Sequence, residues 1–137
     1  MSMEIVRKIM KEAATGFLAT TDGQKPAVRP NGGWAWVEGE LWCATAASSA
    51  KVAQIKARPY AEYCFADKEW RHVRISGPTT VSTDNKDKKK LYDLVPELKN
   101  HISDPTSPDY VVLRTKPEKI RLMDSKDMKY KDVKPAR

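Results

Sequence analysis

Cysteine is scarce: Cys43 and Cys64 are the only two in 137 residues, too few for a disulfide framework or a four-ligand structural zinc site. Both lie inside strand-like runs and read as small buried hydrophobes, so a reduced, cytoplasmic setting is expected. Histidine is equally sparse, at two residues, which argues against transition-metal chemistry. No apolar run approaches the roughly 20 residues that a membrane-spanning helix needs. The N-terminus carries neither the apolar stretch nor the cleavage pattern of a secretory signal. The six glycines do not assemble into a dinucleotide fingerprint or a triphosphate loop. Ser/His/Asp and Cys/His constellations are missing, as are usefully spaced carboxylate pairs, so hydrolysis is not expected.

Acidic residues are also in deficit, with 18 Asp and Glu against 25 Lys and Arg for a net charge of +7. The excess is spread out. Lys86, Lys88, Lys89 and Lys90 form one block, and Lys129, Lys131, Lys134 and Arg137 form a tail. Such blocks read as solvated surface that attracts anions at long range without identifying one. With no reading helix and no orderly aromatic-basic surface, a nucleic-acid partner is not expected. The length suits a single domain, residues 1–137, with one core and no internal repeat.

What is present is a series of short alternating segments. Ile5, Val6, Ile9, Met10 and Ala13 recur at helical spacing, predicting a helix over about 4–14 with Gly16 beyond its end. Strands are expected over Phe17 to Thr21, Ala27 to Arg29, Trp34 to Val37 and Leu41 to Ala44, punctuated by Asp22-Gly23, Asn31-Gly32-Gly33 and Glu38-Gly39. Period two puts Trp34 and Trp36 on one face. Glu is an unusual first residue for a two-residue hairpin loop. A helix over about Ala50 to Lys56 follows, with Ser48 or Ser49 as its cap. Ala61 to Ala66, His72 to Val81, Tyr110 to Arg114 and Lys119 to Met123 read as further strands. A basic helix runs from Thr83 or Asp84 to Leu94, a helical turn from Glu97 to Ile102, and the charged tail over about 124–137 is expected to fray. Six or seven short strands with few helices predict a mainly β fold with short helices, a small closed or nearly closed barrel.

The segment richest in chemistry is Thr45-Ala-Ala-Ser-Ser-Ala-Lys-Val-Ala-Gln-Ile55, at a strand-to-helix junction. Ser48 and Ser49 supply hydroxyls, the amides around Ala50 open a helix, and Lys51 supplies a mobile charge. All suit a phosphate. Arg29, one strand pair earlier, offers a planar fork for the same oxygens. A surface ion pair is the competing role for Arg29, and simple capping is the competing role for Ser49.

The order and spacing of these motifs resemble the pyridoxamine 5'-phosphate oxidase-like superfamily, and most closely its short general-stress-protein-like branch. The resemblance is carried by Gly16-Phe-Leu-Ala-Thr-Thr-Asp-Gly23, Pro26-Ala-Val-Arg-Pro30, Gly39-Glu-Leu-Trp42, Ser49-Ala-Lys51, Gln54-Ile55, Val73-Arg-Ile-Ser-Gly77, Val95-Pro-Glu-Leu98 and the segment from Pro117. It implies an FMN-binding split β-barrel, with FMN at a homodimer interface and its phosphate held by Arg29, Ser49 and Lys51. By the same analogy Pro30, Asn31, Ala44 and Thr45 line the flavin. Gln54 reaches its phosphate or ribityl chain or else faces solvent, and His72 contacts the ring from either subunit or satisfies a local acceptor. Trp34 or Trp36 either flanks the flavin or fills the core.

The oxidases proper place an arginine immediately before the phosphate-binding lysine. Ala50 stands there in this chain, which implies weaker cofactor retention. The C-terminal Trp and Arg-Leu-His elements of those enzymes have only Arg121-Leu-Met123 as a counterpart, so pyridoxamine phosphate oxidation is not the expected activity. The resemblance thus implies a flavin-dependent oxidoreductase acting on an unidentified small molecule. A non-catalytic flavin-binding or stress protein and a haem-binding relative of the same barrel are the alternatives.

Overall fold

The computed structural model describes residues 2–13 and 15–135. Along the chain run α1 (Met3–Glu12), β1 (Gly16–Thr21), β2 (Pro26–Asn31), β3 (Trp34–Val37), β4 (Glu40–Ala46) and α2 (Ala50–Ala57). They are followed by β5 (Tyr60–Ala66), β6 (His72–Ser82), α3 (Asn85–Leu94), a 3-10 turn (Pro96–Asn100), β7 (Tyr110–Thr115), β8 (Lys119–Met123) and β9 (Tyr130–Val133).

Local chemistry sets the registers. Between β1 and β2 the Asp22 carboxylate accepts from the amides of Gln24 and Lys25, both at 2.8 Å. That turn pairs Leu18 with Arg29 and Ala19 with Val28. Between β3 and β4, Glu38 and Gly39 both take positive φ, at 51° and 84°. A right-twisted hairpin needs this of a two-residue loop, and Glu38 meets the requirement only with strain. Replacing Glu38 by Asn should therefore raise stability by about 0.5–1 kcal/mol. An unchanged denaturation midpoint would show that the turn carries no such strain.

β6 is the strand that two antiparallel sheets share. From His72 to Ser76 it pairs with β8 on one side and β5 on the other. From Thr79 to Ser82 it pairs with β7. The main path is β2-β1-β5-β6-β7-β4-β3, with β8 and β9 branching from β6. Gly77 sits where β6 passes between the sheets, and a Cβ there would stand 2.0 Å from the Lys116 carbonyl oxygen. The path ends at β2 and β3, which are consecutive in sequence. Gly32 and Gly33 bridge them, and no ladder joins them among the described residues. The result is a mostly antiparallel sheet of the split-barrel type.

The interior is filled from both sheets and two helices. Leu18, Tyr63, Phe65, Ile75 and Ile120 meet Leu41, Cys43, Val111 and Leu113, together with Val6, Ile9 and Met10 of α1 and Val52 and Ile55 of α2. The apolar spacing on α1 is that of a helix laying one stripe on the core. Trp34 and Trp36 face inward too. Trp34 stands edge-on to Phe65 at 5.4 Å, and the Trp36 indole N–H donates to Met10 Sδ at 3.2 Å. α3 and the 3-10 turn cover the outside of β3, β4 and β7, where Val37, Trp42, Leu91, Val95, Leu98, Tyr110 and Val112 form a second cluster.

Three features depart from the sequence reading. Nine strands are present among the described residues, against six or seven expected. Residues 130–133, expected to fray, pair with β8 as β9. Only Val133 of this strand is buried, and charge along the remainder is how an exposed sheet edge is kept from pairing further. α1 ends at Glu12. Ala14, to which the expected helix extended, lies outside the described residues, as do Met1 and 136–137 at the ends of the expected domain and tail. No described helix is long and apolar enough to cross a membrane.

Candidate functional site

β4 delivers the chain into α2 through Ala47-Ser48-Ser49, and Ser49 occupies the N-cap position. Its hydroxyl does not cap. It donates back to the Ala46 carbonyl at 2.7 Å, while the Ser48 hydroxyl lies 3.4 Å from Asp109 Oδ1. α2 therefore begins with no side-chain cap and no acid in its first turn. In α3, by contrast, Asp84 accepts from the Lys86 amide at 2.7 Å. Uncapped first-turn amides favour an anion.

Two cations converge beside this helix start. Arg29 projects from β2 onto the inner side, where Nη1 donates to Thr20 Oγ1 at 2.6 Å and to the Leu18 carbonyl at 3.3 Å. Its Nη2 reaches Gln54 Oε1 at 3.3 Å, and Thr20 donates to the same oxygen. Lys51 Nζ donates to Thr45 Oγ1 at 2.9 Å. Among the described residues neither cation enters an ion pair. Burial first, and the charge of Arg29 second, hold the Lys51 ammonium below its usual range. Burial likewise lowers Arg29.

This arrangement disfavours the cofactor-free protein, and the sign can be tested. The folded Lys51 binds its proton less tightly than the unfolded one, so stability should rise as pH climbs through the alkaline titration of Lys51. Below that window the cost is fully present. Lys51→Met should therefore raise the melting midpoint of the cofactor-free protein at neutral pH by about 1–3 °C, with the gain vanishing at alkaline pH. Calorimetry across pH checks this, and a lowered midpoint at neutral pH would contradict it.

Next to the cations opens a cavity of about 570 Å³, with Gly32, Gly33, Ala44, Thr45, Leu98 and Tyr110 in its walls. His101, Ser107 and Asp109 add polar groups. Thr45 connects the two features, since it lines the cavity and accepts from Lys51.

Of the residues read from the sequence, Arg29, Lys51, Thr45 and Gln54 come together, and Ala44 joins Thr45 on the cavity wall. Ser48 and Ser49 stand at the start of α2. Asn31 is placed differently. It is buried, and its amide points to Cys43 Sγ and the Gly32 carbonyl instead of into the cavity. Pro30 is exposed and lies on the opposite face of β2 from Arg29. His72 is on β6, three strands away from β2, with Nε2 2.9 Å from the Tyr130 hydroxyl. Within one chain it does not join the cluster.

Thr20, Leu98, His101, Ser107 and Tyr110 were not singled out from the sequence. Thr20 was accessible to it. Once Asp22-Gly23 sets the hairpin, Thr20 is the inward diagonal neighbour of Arg29. The others lie some 50 to 65 residues beyond Thr45. Leu98 belongs to the Val95-Pro-Glu-Leu98 match but was not linked to the site, and His101, Ser107 and Tyr110 carry no local motif.

The family model for pyridoxamine 5'-phosphate oxidase matches residues 3–124. The chain belongs to this family. The match runs from α1 through β8 and takes in Arg29, Lys51 and the cavity walls, leaving β9 outside. Solved structures share the family fold. A NimC/NimA family protein from Clostridium acetobutylicum superposes with a TM-score of 0.84 at 23% identity, over 95% of this chain and 90% of that one. General Stress Protein 26 from Bacillus anthracis gives 0.76 at 22% identity, over 94% and 96%. A pyridoxamine 5'-phosphate oxidase-related, FMN binding protein from Nostoc punctiforme gives 0.68 at 16% identity, over 96% of both chains. No curated protein matches the chain.

Proposed function

We propose that this member of the family binds FMN and acts as a flavin-dependent oxidoreductase on a small molecule, as a cytoplasmic homodimer of the short general-stress-protein-like branch. The observation that carries the reading is the Arg29–Lys51 couple, which enters no ion pair among the described residues, beside a start of α2 that has no side-chain cap. A phosphate dianion relieves the repulsion between the two cations and accepts from guanidinium, ammonium and amides together. The adjoining cavity is within the range of small-molecule sites, and its Ala44, Leu98 and Tyr110 walls suit a flat aromatic system. FMN, when bound, supplies the electron transfer. Arg29 and Lys51 hold its phosphate, Thr20 and Gln54 fix the guanidinium, and Thr45 orients the ammonium.

Dimerisation is supported by an asymmetry between the sheets. α3 roofs the outside of one, while the outside of the other is left bare where Phe17, Val28 and Tyr60 are 44%, 69% and 47% exposed. Phe17 lies between Pro30 and Cys64 in register, and Ala19 between Val28 and Glu62. An exposed apolar cluster of Phe17, Val28 and Pro30, bordered by the Glu62–Arg74 ion pair, suits an isologous contact with a second copy.

Mass spectrometry of the ligand released from native protein is the direct test, with FMN the expected product. A protein that releases no flavin and binds none on titration overturns the reading. Turnover with nicotinamide donors and varied acceptors separates an oxidoreductase from a reducible but inactive flavoprotein. Sedimentation showing only monomer, with and without flavin, would refute the dimer.

A further inference from the structure

We infer that Cys43 and Asn31 form a buried latch that sets the position of the Gly32–Gly33 cavity wall, which makes Cys43 a positioning residue for the ligand occupying that cavity. The chain leaves β2 at Asn31 and enters β3 at Trp34, so two glycines span the gap between sheet edges that no ladder joins among the described residues. Neither glycine has a side chain with which to anchor itself. Gly32 has nothing within 4 Å of where a Cβ would stand, and Gly33 takes a φ of 66°. Such a corner keeps one conformation only through the bonds its backbone makes.

Those bonds converge on Cys43 and its neighbour. The Cys43 thiol donates to the Gly32 carbonyl at 3.1 Å. The Asn31 amide donates to Cys43 Sγ and, at 3.4 Å, to the same carbonyl. The next amide along, that of Ala44, donates to the Gly33 carbonyl at 3.0 Å. Cys43 is wholly buried and Asn31 is 6% exposed, so water does not readily replace a lost partner. Burial pushes the thiol up to about 12, which keeps it protonated and able to donate. A thiol both accepts from the amide and donates to the carbonyl. Alanine can do neither, whereas serine can do both.

This inference uses the FMN reading for its ligand but has its own readout. Cys43→Ala is expected to weaken FMN binding about tenfold and Cys43→Ser to stay within about threefold of the wild type. Equal losses in the two variants, or no loss in either, would overturn it. In protein freed of FMN, hydrogen exchange at the Ala44 amide should be faster in Cys43→Ala than in the wild type or Cys43→Ser. Unchanged exchange would overturn the latch whatever FMN does. An exchange response in a protein that binds no FMN would leave the latch standing and remove the FMN reading. Should Cys43→Ala fail to fold, Asn31→Ala opens the same latch from the other side and carries the same expectations.

Discussion

Replacing Arg29 and Lys51 together by alanine is expected to weaken FMN binding about a thousandfold. Each cation would contribute a charge-assisted hydrogen bond of about 1.5–3 kcal/mol, and tenfold in affinity corresponds to about 1.4 kcal/mol. The loss should be unequal in the single variants. Arg29 presents a planar fork held by Thr20 and Gln54, while Lys51 is a point charge on a flexible stem with one hydrogen bond to Thr45, so Arg29→Ala should cost more. The double variant should still fold, because neither side chain supports an ion pair among the described residues. Titration calorimetry on a double variant with a normal melting transition decides the matter. A dissociation constant within tenfold of the wild type would remove the phosphate site from these residues.

The largest effect on stability should come from one methyl group. Gly77→Ala puts a Cβ 2.0 Å from the Lys116 carbonyl oxygen and 2.9 Å from its carbon, a backbone that cannot move aside as a side-chain tip could. Around this crossing the Lys116 amide donates to the Pro78 carbonyl at 3.0 Å and the Glu118 amide to that of Ser76 at 2.9 Å. Relieving the clash stretches both bonds and separates β6 from the segment leading into β8. A destabilisation of about 3 kcal/mol or more is expected, lowering the melting midpoint by about 10 °C. A Gly77→Ala protein that melts within 2–3 °C of the wild type would show that the crossing gives way easily.

How much of this was readable from the chain varies from element to element. The β1–β2 hairpin was, because Asp22-Gly23 is a strong turn signal and both strands alternate. α1 was, because its apolar stripe repeats at helical spacing. β9 was not, since Tyr130-Lys-Asp-Val133 has the composition of solvated chain, and it becomes a strand only because β8 offers an unpaired edge. Lys51 and Thr45 drew attention because a strand-to-helix junction gathers its own hydroxyls and charge, and Arg29 because a guanidinium on an earlier strand suits the same phosphate oxygens. Asn31 was assigned to the flavin by family resemblance, and the fold directs its amide to Cys43 Sγ and the Gly32 carbonyl, contacts made across the corner that no local pattern announces. His72 was linked to the site by family resemblance, and a single chain holds it three strands away from β2.

Composition and pattern were enough to specify short amphipathic strands and a strand-to-helix junction rich in hydroxyls and charge, because these properties reside in neighbouring residues. The pairing of Arg29 with Lys51 across two elements, the cavity wall contributed by residues 97–110 and the bare outer face of one sheet required the fold. These are contacts between distant segments. No local preference encodes which residues meet once the chain has bent at Gly77 and turned the corner at Gly32–Gly33.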